Sequence, residues 1–379
     1  MEKEKNGGGA VEDMRMMPIS MCSPGMVLGK KIFSDDGIVL LAEGVELTNS
    51  LIRKLAENGI RYLYIQDPRT EGIEVPELLN EETQRQALST IRSVFRDLID
   101  QPGRRQSGMY PYVGRNLRNV MHMVLDDLQR NRDAMIMLMN LHTVDHYLYM
   151  HSLNVCVYAT LLGIANGYSK EELLTLGLGA LLHDIGKTQI SMQVLMKPGK
   201  LTPEEFEEMK RHTELGYYLL KDEPNISLIA AHCAFQHHER INGSGYPRGL
   251  KGDEIHEYAK WIGIVDSYDA MTTHRAYKEA MLPHQAVESL YSGSGILYDT
   301  QMLSLFRDKV AIYPLGITVQ LNTGQLAVVV DINALSVHRP IVRVITDEAG
   351  NELKAPYDID LSKQLSIMIT KVNPGPMAK

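Results

Sequence analysis

The sequence predicts a mainly α protein: a helical bundle over residues 134–310, with a small α+β unit before it and a small β unit after it. Three observations predict this architecture. The chain is almost continuously helix-forming from about Ala134 to Lys309, short strand-like runs with turn signals occur near the N-terminus, and alternating apolar runs follow Tyr313-Pro314. A length of 379 residues is long for a single core, so two or three domains are expected.

The N-terminal region divides into two predicted parts. Residues 1–17 are polar, glycine-containing and rich in methionine, which indicates a flexible leader, and residues 18–70 form a small accessory α+β unit. The turn Asp35-Asp36-Gly37 indicates a hairpin, and Thr48 or Asn49 is suited to cap a helix. The elements expected in this unit are strands at Met26–Leu28, Lys31–Phe33, Ile38–Leu41 and Arg61–Gln66, and a helix near Ser50–Asn58.

Two further regions flank the predicted bundle. Residues 71–133 have helical periodicity with mixed charge and are interpreted as a helical connector, with one flexible break from Gln101 to Pro111. Residues 311–379 are interpreted as a β unit and tail, with strands at Thr318–Leu321, Ala327–Ile332 and Ile341–Ile345.

Composition excludes several classes of function. A net charge of −8 disfavours a large nucleic-acid surface, which would need clustered lysine and arginine. The apolar run from Leu173 to Leu182 is too short to span a bilayer, and the N-terminus lacks the apolar block of a signal peptide. Three widely separated cysteines indicate a reducing compartment, so a cytoplasmic location without membrane insertion is expected.

The motif Leu181-Leu182-His183-Asp184-Ile185-Gly186-Lys187 is the first that carries chemistry. A leucine-rich helix that should be buried ends here in ionisable residues, and buried charges need a metal, a ligand or a salt bridge. His183 and Lys187 are four residues apart and share a helix face. Taken alone, the His183-Asp184 pair is more typical of a cap or a core hydrogen bond than of a metal site.

A second motif is Gln236-His237-His238-Glu239, followed by Asn242-Gly243-Ser244-Gly245-Tyr246-Pro247. Adjacent histidines can both reach one metal, and the glycines behind them permit close approach of backbone to a ligand. His151, His212 and Asp266 are further candidate ligands. Together these positions favour metal binding over isolated structural roles.

These motifs resemble the HD hydrolase superfamily. His183-Asp184 matches its paired signature, and the runs HHERINGSGYPRGLKG from His237 to Gly252 and DSYDAMTTHRAYK from Asp266 to Lys278 resemble its HD-GYP branch. The resemblance covers about residues 140–310 and preserves the order and approximate spacing of the motifs. It implies an α-helical HD bundle as the catalytic domain, over residues 134–310.

The resemblance also implies a centre of two divalent metal ions. One ion would take His151, His183 and Asp266, the other would take His212, His237 and His238, and Asp184 would bridge them. Some members hold a third metal through a carboxylate one helical turn before the first histidine. Tyr147 stands at that position here, which favours two metals, with iron or manganese the expected ions.

The activity implied by the resemblance is hydrolysis of cyclic di-GMP to pGpG, with a second cut to GMP left open. Asp184 and Lys187 would be catalytic, and the implied substrate contacts are Lys187, Tyr246, Asp269, Arg275 and Lys278. Two alternatives stay open: hydrolysis of another cyclic dinucleotide or nucleotide, and a non-catalytic adaptor that binds cyclic di-GMP. Cyclic di-GMP rather than a polynucleotide is the expected partner, and a homodimer or a signalling-protein partner is also open.

Overall fold

The computed structural model describes nine stretches of the chain. They are residues 14–33, 39–58, 60, 62–73, 78–100, 113–130, 147–273, 281–333 and 336–373. The expected hairpin turn at residues 35–37 and the break from Gln101 to Pro111 lie outside these stretches, so both stay predictions.

The N-terminal unit is built from two small antiparallel sheets and one helix. Strand β1 pairs with β4, and β2 pairs with β3. Thr48 caps the helix, because its side chain accepts a hydrogen bond from the backbone N–H of Leu51. The elements are β1 (Met14–Pro18), β2 (Ile32–Phe33), β3 (Val39–Leu41), α1 (Asn49–Glu57) and β4 (Tyr62–Gln66).

Strand β1 corrects the prediction of a flexible leader for residues 14–17, while residues 1–13 lie outside the described stretches and there it stays a prediction. Met14 and Met16 are fully buried, and their strand runs antiparallel to β4 from Met14 opposite Gln66 to Pro18 opposite Tyr62. The methionines look unremarkable in sequence because the strand is short and its polar neighbours hide the alternation. The N-terminal unit therefore begins before residue 18.

The helical unit contains eleven helices among the described residues. They are α2 (Glu81–Asp100), α3 (Val113–Arg130), α4 (Tyr147–Ala165), α5 (Lys170–Leu182), α6 (Met192–Leu195), α7 (Pro203–Lys210), α8 (His212–Leu220), α9 (Leu228–Gln236), α10 (Glu257–Thr272), α11 (Pro283–Tyr291) and α12 (Thr300–Lys309).

Helices α4 and α5 are central because they are apolar on all sides. Every residue of α5 from Leu176 to Leu182 is buried, and its start is set by a capping box between Ser169 and Glu172. By length and composition α4 could also cross a membrane, but 72% of its window from Leu148 to Ala165 is buried inside the protein. That burial is what the core helix of a packed bundle requires.

The predicted connector is part of the bundle. Helices α2 and α3 place Ala87, Ile91, Phe95, Leu117 and Val124 fully buried in the same hydrophobic core as α4, α5 and α9. The bundle core therefore includes residues before the boundary predicted at residue 133, and the domain boundary itself stays a prediction. Both helices are amphipathic, and the sequence shows the apolar face but not which element covers it.

The C-terminal unit is a five-stranded antiparallel sheet with strand order β8-β7-β6-β5-β9. Its strands are β5 (Thr318–Leu321), β6 (Leu326–Asp331), β7 (Ile341–Thr346), β8 (Glu352–Asp360) and β9 (Ile369–Val372). The first three agree with prediction to within one residue. The prediction missed β8 and β9, the two edge strands, because their outward side chains are polar and weaken the apolar alternation.

The two terminal units pack against each other. The backbone N–H of Met16 donates to the carbonyl of Gly316 at 2.8 Å. Nearby, the buried Arg15 donates to Thr318 Oγ1 at 2.8 Å and lies 3.4 Å from Asp67 Oδ2. Paired in this way, the buried guanidinium is stabilised between β1 and the C-terminal sheet.

Candidate metal centre

Five helices bring the predicted ligands to one buried place. His151 lies on α4, His183 and Asp184 follow the last turn of α5, and Asp266 lies on α10. The second set comes from other helices: His212 opens α8, while His237 and His238 follow α9. All of these residues are buried except His238, which is partly exposed.

The first set consists of His151, His183 and Asp266. One ligand atom from each lies within 4.8 Å of the others. Asp266 Oδ1 is 3.2 Å from His151 Nε2 and 3.9 Å from His183 Nε2. Two imidazoles and a carboxylate facing one point are a donor set suited to a divalent transition metal.

The second set consists of Asp184, His212, His237 and His238, again with ligand atoms within 4.8 Å of one another. The Nε2 atoms of His212 and His237 are only 3.3 Å apart. Two ring nitrogens at this distance could share one proton or one metal ion. The neighbouring Asp184 Oδ1, 3.4 Å from His212 Nε2, completes this set with a negative charge.

Asp184 faces both sets. Its Oδ2 atom is 3.5 Å from His151 Nε2 and 3.4 Å from His183 Nε2. Its Oδ1 atom is 3.4 Å from His212 Nε2 and 3.8 Å from His237 Nε2. A carboxylate whose two oxygens each face a separate group of imidazoles is placed to bridge two cations.

Helix ends orient three of the imidazoles. The Nδ1 atoms of His183, His212 and His237 lie 2.7, 2.7 and 2.9 Å from the carbonyl oxygens of Ala180, Met209 and Ala234, respectively. A carbonyl oxygen only accepts, so each Nδ1 must carry the proton and each Nε2 offers its lone pair to the centre. The last carbonyls of a helix lack partners within it, which leaves them available for this role.

The protonation states also suit metal ligands. Burial lowers the pKa of His212 to about 4 and holds the pKa of His237 and His238 well below the ordinary value, so these rings are neutral at neutral pH. Burial alone would raise the pKa of the two carboxyls. The positive charge of Lys187 lowers the pKa of Asp184, and a hydrogen bond with His151 lowers the pKa of Asp266. Both pKa values therefore lie well below the ordinary value.

The buried polar atoms of the centre fit a cation. His183 Nε2 and Asp184 Oδ1 are buried and make no hydrogen bond within the described part of the chain. Leaving such atoms unsatisfied is costly, whereas a metal ion would satisfy both with the donors that they offer. This Asp and His cluster could therefore bind metal ions.

The loop after α9 is held directly over the centre. Glu239 is buried, and its two carboxylate oxygens accept hydrogen bonds from the backbone N–H groups of Arg248 and Leu250 at 2.8 and 2.9 Å. A Cβ atom at Gly245 would lie 2.4 Å from the backbone of Glu239, so only glycine permits this approach. As a result Tyr246 stacks on His238, with ring centroids 4.7 Å apart.

Family comparison identifies two regions of this chain. A model described as an HD domain matches residues 134–302, the region that supplies both sets of ligands. Residues 134–302, which include α4 to α11 of the helical unit, are therefore similar to an HD domain, and this region is called the HD domain below. A second model, described as a KOW domain associated with HD domains, matches residues 318–375, which include the whole C-terminal sheet. The resemblance to the HD superfamily is thus confirmed.

Several curated proteins are similar to part of this chain. A cyclic di-GMP phosphodiesterase of Pseudomonas aeruginosa is 37% identical over 217 residues, 57% of this chain and 52% of the relative. A cyclic di-GMP phosphodiesterase response regulator of Xanthomonas campestris is 44% identical over 134 residues, 35% of each chain. A 3′3′-cGAMP-specific phosphodiesterase of Vibrio cholerae is 32% identical over 156 residues, 41% of this chain and 30% of the relative. This chain spans about half of the first relative and about a third of the other two.

The remaining predicted site residues of the HD domain lie in three kinds of place. Lys187 reaches the centre, where its ammonium contacts Asp184 Oδ2. Tyr246 lies beside the centre, where its ring stacks on that of His238. Arg275 and Lys278 lie outside the described residues, so their predicted phosphate contacts stay predictions.

Asp269 requires a correction. It was expected to contact substrate, but its side chain is fully buried, and its Oδ2 atom lies 2.7 Å from His151 Nδ1. The carboxylate accepts a hydrogen bond from His151 Nδ1–H, which directs Nε2 of His151 towards Asp266. Asn154 donates to the other oxygen at 3.2 Å. Asp269 is thus placed to orient the candidate ligand His151, and its burial disagrees with the expected substrate contact.

Two contributors to the HD domain centre escaped sequence reasoning. Asn154 lies three residues after His151 on one helix face, a spacing that could have suggested a shared role. Gly186 is the second: a Cβ there would lie 1.9 Å from the carbonyl oxygen of His212. The glycine in the HDIGK motif was the available signal, since it marks close backbone approach.

Asp269→Asn is expected to weaken metal binding at the first set by about 10- to 100-fold, the usual cost of losing a partner that orients a ligand. The amide cannot match a carboxylate as an acceptor for His151 Nδ1–H. Competition against a metal chelator would measure this affinity, with the exposed Asp222→Asn as the matched control. Equal affinity in Asp269→Asn and the wild type would contradict the positioning role.

Proposed function

We propose that this protein is a metal-dependent phosphodiesterase that hydrolyses cyclic di-GMP to pGpG. The observation that carries the proposal is the pair of ligand sets joined by Asp184, on an HD domain whose relatives from two organisms carry that activity in their names. The curated relatives are longer than the region that they share with this chain. Their activity is therefore proposed for this chain and not established by the similarity.

The proposed centre holds two divalent ions, with iron or manganese favoured by imidazole-rich ligation completed by carboxylates. His151, His183 and Asp266 would hold one ion, His212, His237 and His238 the other, and Asp184 would bind both. Such ions would act as Lewis acids on the phosphoryl oxygens and would lower the pKa of bound water. Both effects are needed because a phosphodiester anion repels hydroxide.

The side chains around the centre have separate proposed tasks. Asp184 keeps the two sets in register. The Lys187 side chain is 19% exposed, and its ammonium beside Asp184 is placed to stabilise negative charge on the phosphoryl oxygens. Addition of water to one phosphorus breaks its bond to the 3′ oxygen, which leaves as a hydroxyl and opens the ring to linear pGpG.

Arg275 and Lys278 remain the proposed phosphate contacts on the substrate side, from the family resemblance alone. Cytoplasmic location, a homodimer or signalling-protein partner, and a second cut to GMP likewise remain predictions. The absence of membrane insertion also remains a prediction.

One alternative substrate has a specific observation in its favour. The Vibrio cholerae relative is named for 3′3′-cGAMP, a cyclic dinucleotide that differs from cyclic di-GMP in one base. The metal chemistry is the same for both, because the scissile phosphodiester does not change. Discrimination between cyclic di-GMP and 3′3′-cGAMP would depend on contacts to the bases.

A panel assay tests the proposal. Protein loaded separately with iron under anaerobic conditions and with manganese would be offered cyclic di-GMP, 3′3′-cGAMP and cyclic di-AMP, with chelator-treated protein as control. We expect cyclic di-GMP to give the highest kcat/KM, with pGpG as the first product by chromatography. Preferred cleavage of 3′3′-cGAMP would make that nucleotide the substrate in place of cyclic di-GMP. Tight binding of cyclic di-GMP without turnover would indicate the non-catalytic adaptor.

A further inference from the structure

An aromatic and cationic surface lies beside the metal centre and is formed by Phe206, Lys210 and Tyr246. The Phe206 and Tyr246 rings meet edge to face with centroids 6.2 Å apart. Lys210 Nζ lies 5.3 Å from the centroid of Phe206 and 5.8 Å from that of Tyr246. We call these three residues the aromatic platform.

The local sequence explains how the platform is held. Helix α7 begins at Pro203 with a capping box between Thr202 and Glu205, so its first turn is well defined. Phe206 and Lys210 are four residues apart and therefore share one face of α7. Lys210 also contacts the Glu207 carboxylate, which limits the freedom of its ammonium.

Phe206 is exposed although it is large and apolar. Its relative exposure is 46%, whereas Tyr158, Tyr258, Trp261 and Tyr268 of the same domain are buried. A single exposed apolar ring needs no explanation, but one grouped with a second ring and a cation beside a reactive centre indicates a ligand surface.

The platform is close to the ligands of the second set. Tyr246 stacks on His238 at 4.7 Å and lies 6.4 Å from the ring of His212. The Tyr246 ring therefore contacts both Phe206 and the rings of two proposed metal ligands. A phosphoryl group at the centre would place the attached nucleoside within reach of this surface.

We propose that the aromatic platform binds a purine base of the substrate, with Phe206 as the stacking residue and Lys210 as the cation beside it. This rests on the proposed function in that it assigns a specificity-determining subsite to the same centre. Flat bases stack on aromatic rings, and a lysine next to the stack attracts the adjoining phosphate and the electron-rich edge of the base.

The same domain contains a matched control pair. Tyr218 on α8 is 58% exposed, and Lys221 Nζ lies 5.4 Å from its ring centroid. This pair has the chemistry of Phe206 and Lys210, but the contacts described for Tyr218 are with Tyr217 and Lys221 and not with the centre. Substitutions there test whether losing any exposed ring has a general effect.

The experiment compares Phe206→Ala, Phe206→Trp and Lys210→Ala with Tyr218→Ala, all in metal-loaded full-length protein. We expect Phe206→Ala to raise KM for cyclic di-GMP by about 5- to 100-fold, the range expected from base stacking energies. kcat should change little, Phe206→Trp should restore KM, and Tyr218→Ala should match the wild type. Metal content should be equal in all variants, because no platform residue is a ligand.

A second substrate distinguishes an effect on base binding from an effect on phosphodiester hydrolysis. Methyl p-nitrophenyl phosphate carries a phosphodiester without a base, so Phe206→Ala should hydrolyse it at the wild-type rate. An equal loss with both substrates, or a loss of metal, would overturn the proposal because it would show a structural role for Phe206. Unchanged KM for cyclic di-GMP in Phe206→Ala would overturn it as well.

Failure of the proposed function would be recognised separately. If the wild type cleaves no cyclic dinucleotide, calorimetric titration with GMP still tests the platform. Weaker binding of GMP to Phe206→Ala than to Tyr218→Ala would support a base site without turnover. Equal GMP affinity in these two variants would overturn the platform whatever the activity of the wild type.

Discussion

Asp184→Ala is expected to abolish phosphodiesterase turnover, with a fall of about a thousandfold or more, and to lower the metal content of the purified protein. The two oxygens of Asp184 each face one set of imidazoles, so this substitution removes a ligand from both sets at once. Several kcal/mol of transition-state stabilisation depend on a correctly held metal pair, and each 1.36 kcal/mol corresponds to about tenfold in rate.

The measurement for Asp184 combines elemental analysis with steady-state kinetics. Asp184→Asn has nearly the same volume and separates the loss of charge from the loss of packing; it should also lose turnover. Asp253→Ala is the matched control, since that carboxylate is fully exposed and 3.6 Å from Lys260 on the surface of the same domain. Normal metal content together with normal turnover in Asp184→Ala would refute the bridging assignment.

Gly186→Ala is expected to destabilise the HD domain by about 3 kcal/mol or more and to disrupt the second set of ligands. A Cβ at this position would lie 1.9 Å from the carbonyl oxygen of His212 and 2.5 Å from the backbone nitrogen of Gly216. Neither atom can rotate away, so α8 must shift as a unit, which costs more than overpacking against side chains. His212 opens α8 and would move with it.

Urea denaturation would measure the change in the free energy of unfolding for Gly186→Ala, and elemental analysis would follow the metal. Gly293→Ala is the control, because a Cβ there meets only the side chains of Leu297 and Tyr298, at 3.2 Å and beyond. A free energy of unfolding equal to that of the wild type in Gly186→Ala would show that α8 does not need this close approach.

The candidate site was predictable from sequence to the extent that its chemistry is local. His183-Asp184 and His237-His238 are adjacent pairs, and their residue types alone suggest metal ligation once several such motifs occur in one domain. The same local reasoning failed for Asp269. Lying three residues after Asp266, it shares the helix face of that candidate ligand, and only its burial against His151 places it to orient a second candidate ligand.

Much of the secondary structure was predictable for the same reason. Strand β5 and the Thr48 cap of α1 depend on residues within one turn or strand, and both agree with expectation. Strand β1 was not predicted, because the burial of its methionines depends on pairing with β4, about 50 residues away in sequence.

The sequence by itself determined which residue types could hold metal, the helical class of the central unit and the β character of the C-terminal unit. Tertiary structure alone decided that Asp184 faces two ligand sets, that α2 and α3 belong to the bundle core, and that Phe206 meets Tyr246 beside the centre. Periodicity and residue type act over a few neighbouring residues. Distances between side chains on different helices depend on how those helices pack, and no local pattern encodes that packing.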